Sequence, residues 1–161
     1  MNRKLIRKLT VVMIFFLLLF GARVSFGAAT CVISTDEVDD FRIITFSWVS
    51  HTDGTVATGT CDETTDASLG NVTGVIVGVK FEPDASTAPT DAYDVVINNA
   101  GGADILHGVG ANVTNDDALT GQWKTPKTTN SGSVFIYQEN LDLVITNAGS
   151  GKIGKVKLTL Y

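Results

Sequence analysis

Histidine and cysteine are scarce in this chain of 161 residues, with two of each, and their scarcity excludes several chemistries. Two sulfurs fall short of the tetrahedral set that zinc takes, and neither His51 nor His107 stands at a spacing that would complete it. Either histidine is a general base in principle, yet there is no G-x-S-x-G elbow, and an oxidised cysteine is no nucleophile. Local motifs therefore assemble no acid-base or nucleophile constellation, and the chain reads as non-enzymatic. Carboxylate pairs of the kind that hydrolyse glycosides stay open, because their separations do not show in a sequence. Cations are also few, 12 Lys plus Arg against 17 Asp plus Glu. No basic stripe is interleaved with aromatics, which argues against nucleic acid as a partner. Missing too is an apolar run of the ~20 residues that a membrane-spanning helix needs. Beyond the opening segment, no stretch keeps a helical period for several turns.

That opening segment reads as an export signal spanning residues 1–27. Met1 to Lys8 carries Arg3, Lys4, Arg7 and Lys8 with no acid, and Leu9 to Ala22 is an apolar run closed by Arg23. Small residues place cleavage between Gly27 and Thr30. A lipid-modified Cys31 and an uncleaved anchor are the alternatives, but the approach to Cys31 lacks a large aliphatic residue, and the run is short for a span. Removing the five cations of the segment leaves seven against 17 acids, a net charge near −10 for residues 28–161. That length suits one domain with a real core, exported to the periplasm, cell surface or exterior, with no membrane span left after cleavage.

Both cysteines survive the expected cut. In an oxidising compartment an isolated pair is expected to form a Cys31–Cys61 disulfide, with two buried free thiols as the alternative. The remaining sequence alternates with a period of two. Ile44, Phe46 and Trp48 share one face of Phe41 to Ser50. Val75, Val77, Val79 and Phe81 share a face of the next run, with Gly74, Gly78 and Lys80 opposite. Tyr93, Val95 and Ile97 alternate with polar neighbours, as do Leu141, Leu143 and Ile145, and then Val156, Leu158 and Leu160. The last two runs read as an antiparallel hairpin. Lys155 and Lys157 line the outward side of the final strand, as on exposed or edge strands. Acids are read as clustering in loops, at Asp36-Glu37 with Asp39-Asp40, Asp62-Glu63 with Asp66, and Asp116-Asp117. Gly- and Asn-rich turns separate the runs. The predicted fold is all-β, an antiparallel β-sandwich or flattened barrel of about seven to nine strands. The polar stretch from Asn112 to Ser131 is a surface loop or a short helix around Asp116 to Gln122.

Candidate sites are few. Gly149-Ser150-Gly151-Lys152 fails as a phosphate loop, because Thr146 stands where the first Gly belongs and Ile153 where a hydroxyl should meet magnesium. It reads as a Gly-rich hairpin turn. No cofactor is expected; calcium is the ion the acidic loops could hold, with oxygens from Asn112, Asn115, Asp116 and Asp117, or from Asp36, Glu37, Asp39 and Asp40. Neither run follows the D-x-[DN]-x-[DN]-G pattern, and solvated acidic loops explain both. Trp48 and Tyr93 fall on core faces, which leaves Trp123 as the aromatic free to contact a glycan or to plug the end of the sandwich.

From Phe41 onward the order of motifs resembles a group of small, mostly uncharacterised tailed-phage and prophage proteins thought to be virion components. The residues are Thr45-Phe46-Ser47-Trp48-Val49-Ser50 before a polar Gly turn, then Ala88-Pro89-Thr90-Asp91-Ala92-Tyr93-Asp94-Val95. Next come Asp104-Ile105-Leu106-His107-Gly108-Val109-Gly110-Ala111-Asn112, and Leu143-Val144-Ile145-Thr146-Asn147-Ala148-Gly149 leading into Gly154-Lys155-Val156-Lys157-Leu158. The resemblance implies a structural or interaction module with other structural proteins as partners, and it carries no catalytic residues; a homo-oligomer is a separate expectation. The export signal and the cysteine pair depart from the group, and a phage-derived surface protein reconciles both. The alternative function is a secreted module binding carbohydrate or a cell surface.

Overall fold

The computed structural model describes residues 27–114 and 133–161. Seven strands form among them: β1 (Thr30–Val38), β2 (Phe41–Val49), β3 (Val72–Pro83), β4 (Asp94–Asn98), β5 (Val134–Glu139), β6 (Asp142–Thr146) and β7 (Ile153–Leu160). Among the described residues the one helical piece is a 3-10 turn, Ala67–Leu69, and the Asp66 carboxylate caps it by accepting from the Ser68 amide. All pairings are antiparallel. Five strands make a curled sheet, a half-barrel in the order β1-β2-β7-β3-β5, and β4 pairs with β6 in a second, small sheet.

One apolar core joins the two sheets. The half-barrel contributes Ile44, Phe46 and Trp48 from β2, Val79 and Phe81 from β3, and Val156, Leu158 and Leu160 from β7. The small sheet adds Val95, Ile97, Leu143 and Ile145, all buried. Trp48 and Tyr93 meet across the gap with ring centroids 6.0 Å apart, which confirms their core placement. Close approach of the indole dictates Gly154, its cross-strand partner on β7. A Cβ there would lie 2.6 Å from the Trp48 ring.

The disulfide forms as expected, with Cys31 and Cys61 Cα atoms 5.5 Å apart. Cys31 sits on edge strand β1, while the Cys61 carbonyl accepts a hydrogen bond from the Leu143 amide of β6 at 3.0 Å. The bond therefore staples the half-barrel to the small sheet through the 50–71 loop. By the chain-entropy estimate, a closed loop of about 30 residues is worth roughly 3.5 kcal/mol.

Five readings of the sequence are corrected. β6 and β7 are consecutive but do not form a hairpin, because β6 pairs with β4 while β7 lies between β2 and β3. Gly149-Ser150-Gly151-Lys152 is accordingly a crossing between sheets. Buried Ser50 fixes it, donating its hydroxyl to the Gly149 carbonyl at 2.6 Å and accepting from the Lys152 amide at 2.8 Å. The strand carrying Lys155 and Lys157 is the centre of the half-barrel, and Lys157 pairs with Glu82 on β3. In β3 a bulge between Ile76 and Gly78 breaks the alternation, so Ile76 is buried while Val77 is turned outward at 37% exposure and Val75 is only half-buried. Finally, Asp36 and Glu37 belong to strand β1, not to a loop.

Candidate functional site

Two surfaces compete as the working site, a polar cleft beside the small sheet and the outer face of the half-barrel. The cleft, about 270 Å³, is lined by Asp62, Glu63, Asn98, Asn99, Asn140 and Asp142 among others. Its polar atoms are largely spent on the protein's own backbone. The Asp142 carboxylate accepts from the Gly59 amide at 3.2 Å, and Asn140 accepts from the Asn71 amide at 3.1 Å while donating to Glu63 at 3.1 Å. Asp62 accepts from the amides of Thr64 and Thr65, and Asn99 from those of Gly101 and Ala103. These are turn-bracing contacts. Burial raises the Asp142 pKa, with the charges of Asp62 and Glu63 adding to it, against the Gly59 hydrogen bond that lowers it.

The outer face of the half-barrel is built differently. Strand register puts Val38 of β1 opposite Phe41 of β2, and Tyr161, just past β7, exchanges two backbone hydrogen bonds with Val75 of β3. Val75 in turn stands opposite Phe135 of β5. An apolar row thus crosses all five strands at one end of the sheet. Val38 is 52% exposed, Phe41 40%, Phe135 63% and Tyr161 65%. The Phe41 and Tyr161 rings lie 5.7 Å apart at a tilt of 55°. Beside them runs a groove of about 290 Å³ lined by Val38, Phe41, Ile43, Val77, Gly78 and Thr159.

Further along the same face lie Lys157 and Lys80, opposite each other, and then Lys155 opposite Glu82. The Glu82 carboxylate takes Lys80 at 2.7 Å and Lys157 at 2.9 Å. Burial alone would raise its pKa, but hydrogen bonds from the two ammonium groups outweigh that and lower it. At the other end the β1–β2 turn carries Asp39 and Asp40, with Asp39 in the left-handed region at φ 53°.

The sequence-derived candidates fall only partly within the described residues. Asn115, Asp116, Asp117 and Trp123 lie outside the described residues. Asn112 is exposed in a left-handed turn, and its amide donates to Asp94 at 2.9 Å. Of the second calcium set, Asp36 and Glu37 are neighbours on a strand and point to opposite faces. Among the described residues no group of three or more His, Cys, Asp or Glu is placed to hold a metal ion. His51 is braced by Asp53 at 3.2 Å, and His107 occupies an exposed turn. The apolar row was missed by the sequence reading, although a signal was present. In β5, Phe135 and Tyr137 alternate with Val134 and Ile136, so both faces of that strand are apolar.

The fold defines a class, an antiparallel all-β domain with a disulfide, the mark of an oxidising compartment. Among the described residues no helix is long and apolar enough to cross a membrane. Comparison with protein-family models, with characterised proteins and with solved structures finds no match.

Proposed function

We propose that the chain is an exported, non-enzymatic interaction module of the kind found among phage-derived structural proteins, and that it works through the outer face of the half-barrel. The observation that carries this is the apolar row from Val38 to Phe135, which crosses a sheet that a disulfide staples in place and is exposed at Val38, Phe41, Tyr161 and Phe135. Exposed apolar surface of that continuity marks a binding surface more often than a structural accident. The polar cleft is the weaker candidate, because its donors and acceptors already serve turns.

Expressed in the organism that encodes it, the exported protein is expected to co-sediment with cell-surface or particle fractions. Phe135→Ser with Tyr161→Ser should shift it to the unbound fraction without lowering its melting temperature much, since both side chains are exposed. Saturable hydrolysis of glycosides or esters, lost on His107→Ala, would overturn the reading.

A further inference from the structure

Two of the nine asparagines open a triplet of Asn, a residue other than Pro, and Thr: Asn71-Val72-Thr73 and Asn112-Val113-Thr114. The fold builds both triplets alike. Asn71 and Asn112 are exposed turn residues in the left-handed region, at φ 56° and 52°. Val72 and Val113 follow, fully buried and paired, Val72 with Glu139 of β5 and Val113 with Tyr93 beside β4. Thr73 and Thr114 are exposed again. The backbone amide of each asparagine is pinned, that of Asn71 by the Asn140 side-chain oxygen at 3.1 Å and that of Asn112 by the Asp94 carboxylate at 2.9 Å.

What the fold leaves unused is the carboxamide of either residue. Asparagine is favoured in left-handed turns because its short side chain hydrogen-bonds locally. Asn147, the third exposed asparagine in that region among the described residues, at φ 62°, does so by donating to Asp94 at 3.0 Å. Asn99 and Asn140 likewise hold backbone amides with their side-chain oxygens. Among the described residues the carboxamides of Asn71 and Asn112 have no hydrogen-bond partner, so turn formation does not account for them.

We infer that Asn71 and Asn112 are acceptor sites for N-linked glycan. The inference goes beyond the interaction-module reading and rests only on its export part, because lipid-carried glycans are transferred to chains that leave the cytoplasm. The donor is an oligosaccharide on a polyprenyl diphosphate. Nδ2 of the asparagine forms a bond to the anomeric carbon, the bond from that carbon to the phosphate oxygen breaks, and its electron pair leaves with the diphosphate. One amide proton passes to a base of the transferring enzyme. Burial of Val72 and Val113 anchors each triplet while the asparagine stays outside, so a bulky glycan is accommodated by the folded chain. Neither asparagine lines the outer-face groove, and the modifications are compatible with binding there.

Mass spectrometry of the exported protein, purified from the organism that encodes it, tests this. The intact mass is expected to exceed that of the processed polypeptide by a glycan increment for each site, and peptide fragmentation should place the increments on Asn71 and Asn112. Asn71→Asp and Asn112→Asp, which keep a residue tolerant of the left-handed turn, should each lose one increment. Thr73→Ser keeps a hydroxyl for the Gln138 amide and should stay modified at lower occupancy. Should a variant fail to fold, fragmentation of the wild-type chain still decides the question. Glycan at one asparagine alone retains that site and overturns the other. A processed chain at its bare polypeptide mass, or increments that persist in the double aspartate variant, overturns both. That result leaves export and binding to surface or particle fractions untouched, whereas a bare chain that still carries residues 1–27 overturns the glycan sites and the export reading together.

Discussion

Single residues in this protein are constrained most where two sheets approach or where a carboxylate is surrounded by its own sign. Gly154→Ala would push a methyl to within 2.6 Å of a fully buried indole that cannot retreat. Overpacking of that kind costs about 1–3 kcal/mol, which chemical denaturation should register as a lower midpoint at unchanged slope. Asp142 is the electrostatic counterpart. Because burial and the charges of Asp62 and Glu63 raise its pKa above 3.8, the folded state holds that proton more tightly than the unfolded chain. Its contribution to stability is present at low pH and is lost as pH rises through the folded value. Asp142→Asn keeps an oxygen for the Gly59 amide and removes the charge, so its melting temperature should exceed the wild-type value at neutral pH and converge with it near about pH 3. Asp84 has the opposite sign. The Ser86 hydroxyl and the amides of Ser86 and Thr87 hold its pKa far below 3.8. Its stabilisation is complete above that value and disappears only in strong acid, so Asp84→Ala should lower the melting temperature at neutral pH and narrow the gap as pH falls.

At the scale of elements, alternation in the sequence located β2, β4, β6 and β7 and the faces they bury, because burial on one side of a strand writes itself as a period of two. Two features escaped that logic. A bulge adds one residue and inverts the faces beyond it, which is why Val77 points outward although it is in phase with Val79 and Phe81. Partner choice is equally silent: nothing local to Leu143 or Leu158 says that their strands belong to different sheets. The edge strands β1 and β5 were hard to recognise for a related reason. β1 is polar and exposed along most of its length, and β5 is apolar on both faces, so neither shows clean alternation. The candidate site suffered with them, since two of its aromatics, Phe135 and Tyr137, are on β5. β1 is secured by Cys31 in addition to its pairing with β2. Reduction, or Cys31→Ser with Cys61→Ser, is expected to cost roughly 3.5 kcal/mol and to raise amide hydrogen exchange in β1 and the 50–71 loop before it does so in β7.

For the whole molecule, the disulfide, the all-β architecture and the single core were legible from composition and pattern, whereas the curl of the large sheet and its exposed apolar row emerge only from strand order. That row and the polar cleft are different surfaces, one on the outside of the half-barrel and one beside the small sheet. The most direct test is photoactivated carbene footprinting of the protein alone and then in the presence of the cell-surface or particle fraction. Labelling of Phe41, Phe135 and Tyr161 should fall several-fold when that fraction is added while Asn98, Asn99 and Asn140 stay unchanged. Undiminished labelling of the three aromatics, with protection confined to the cleft, would contradict the account.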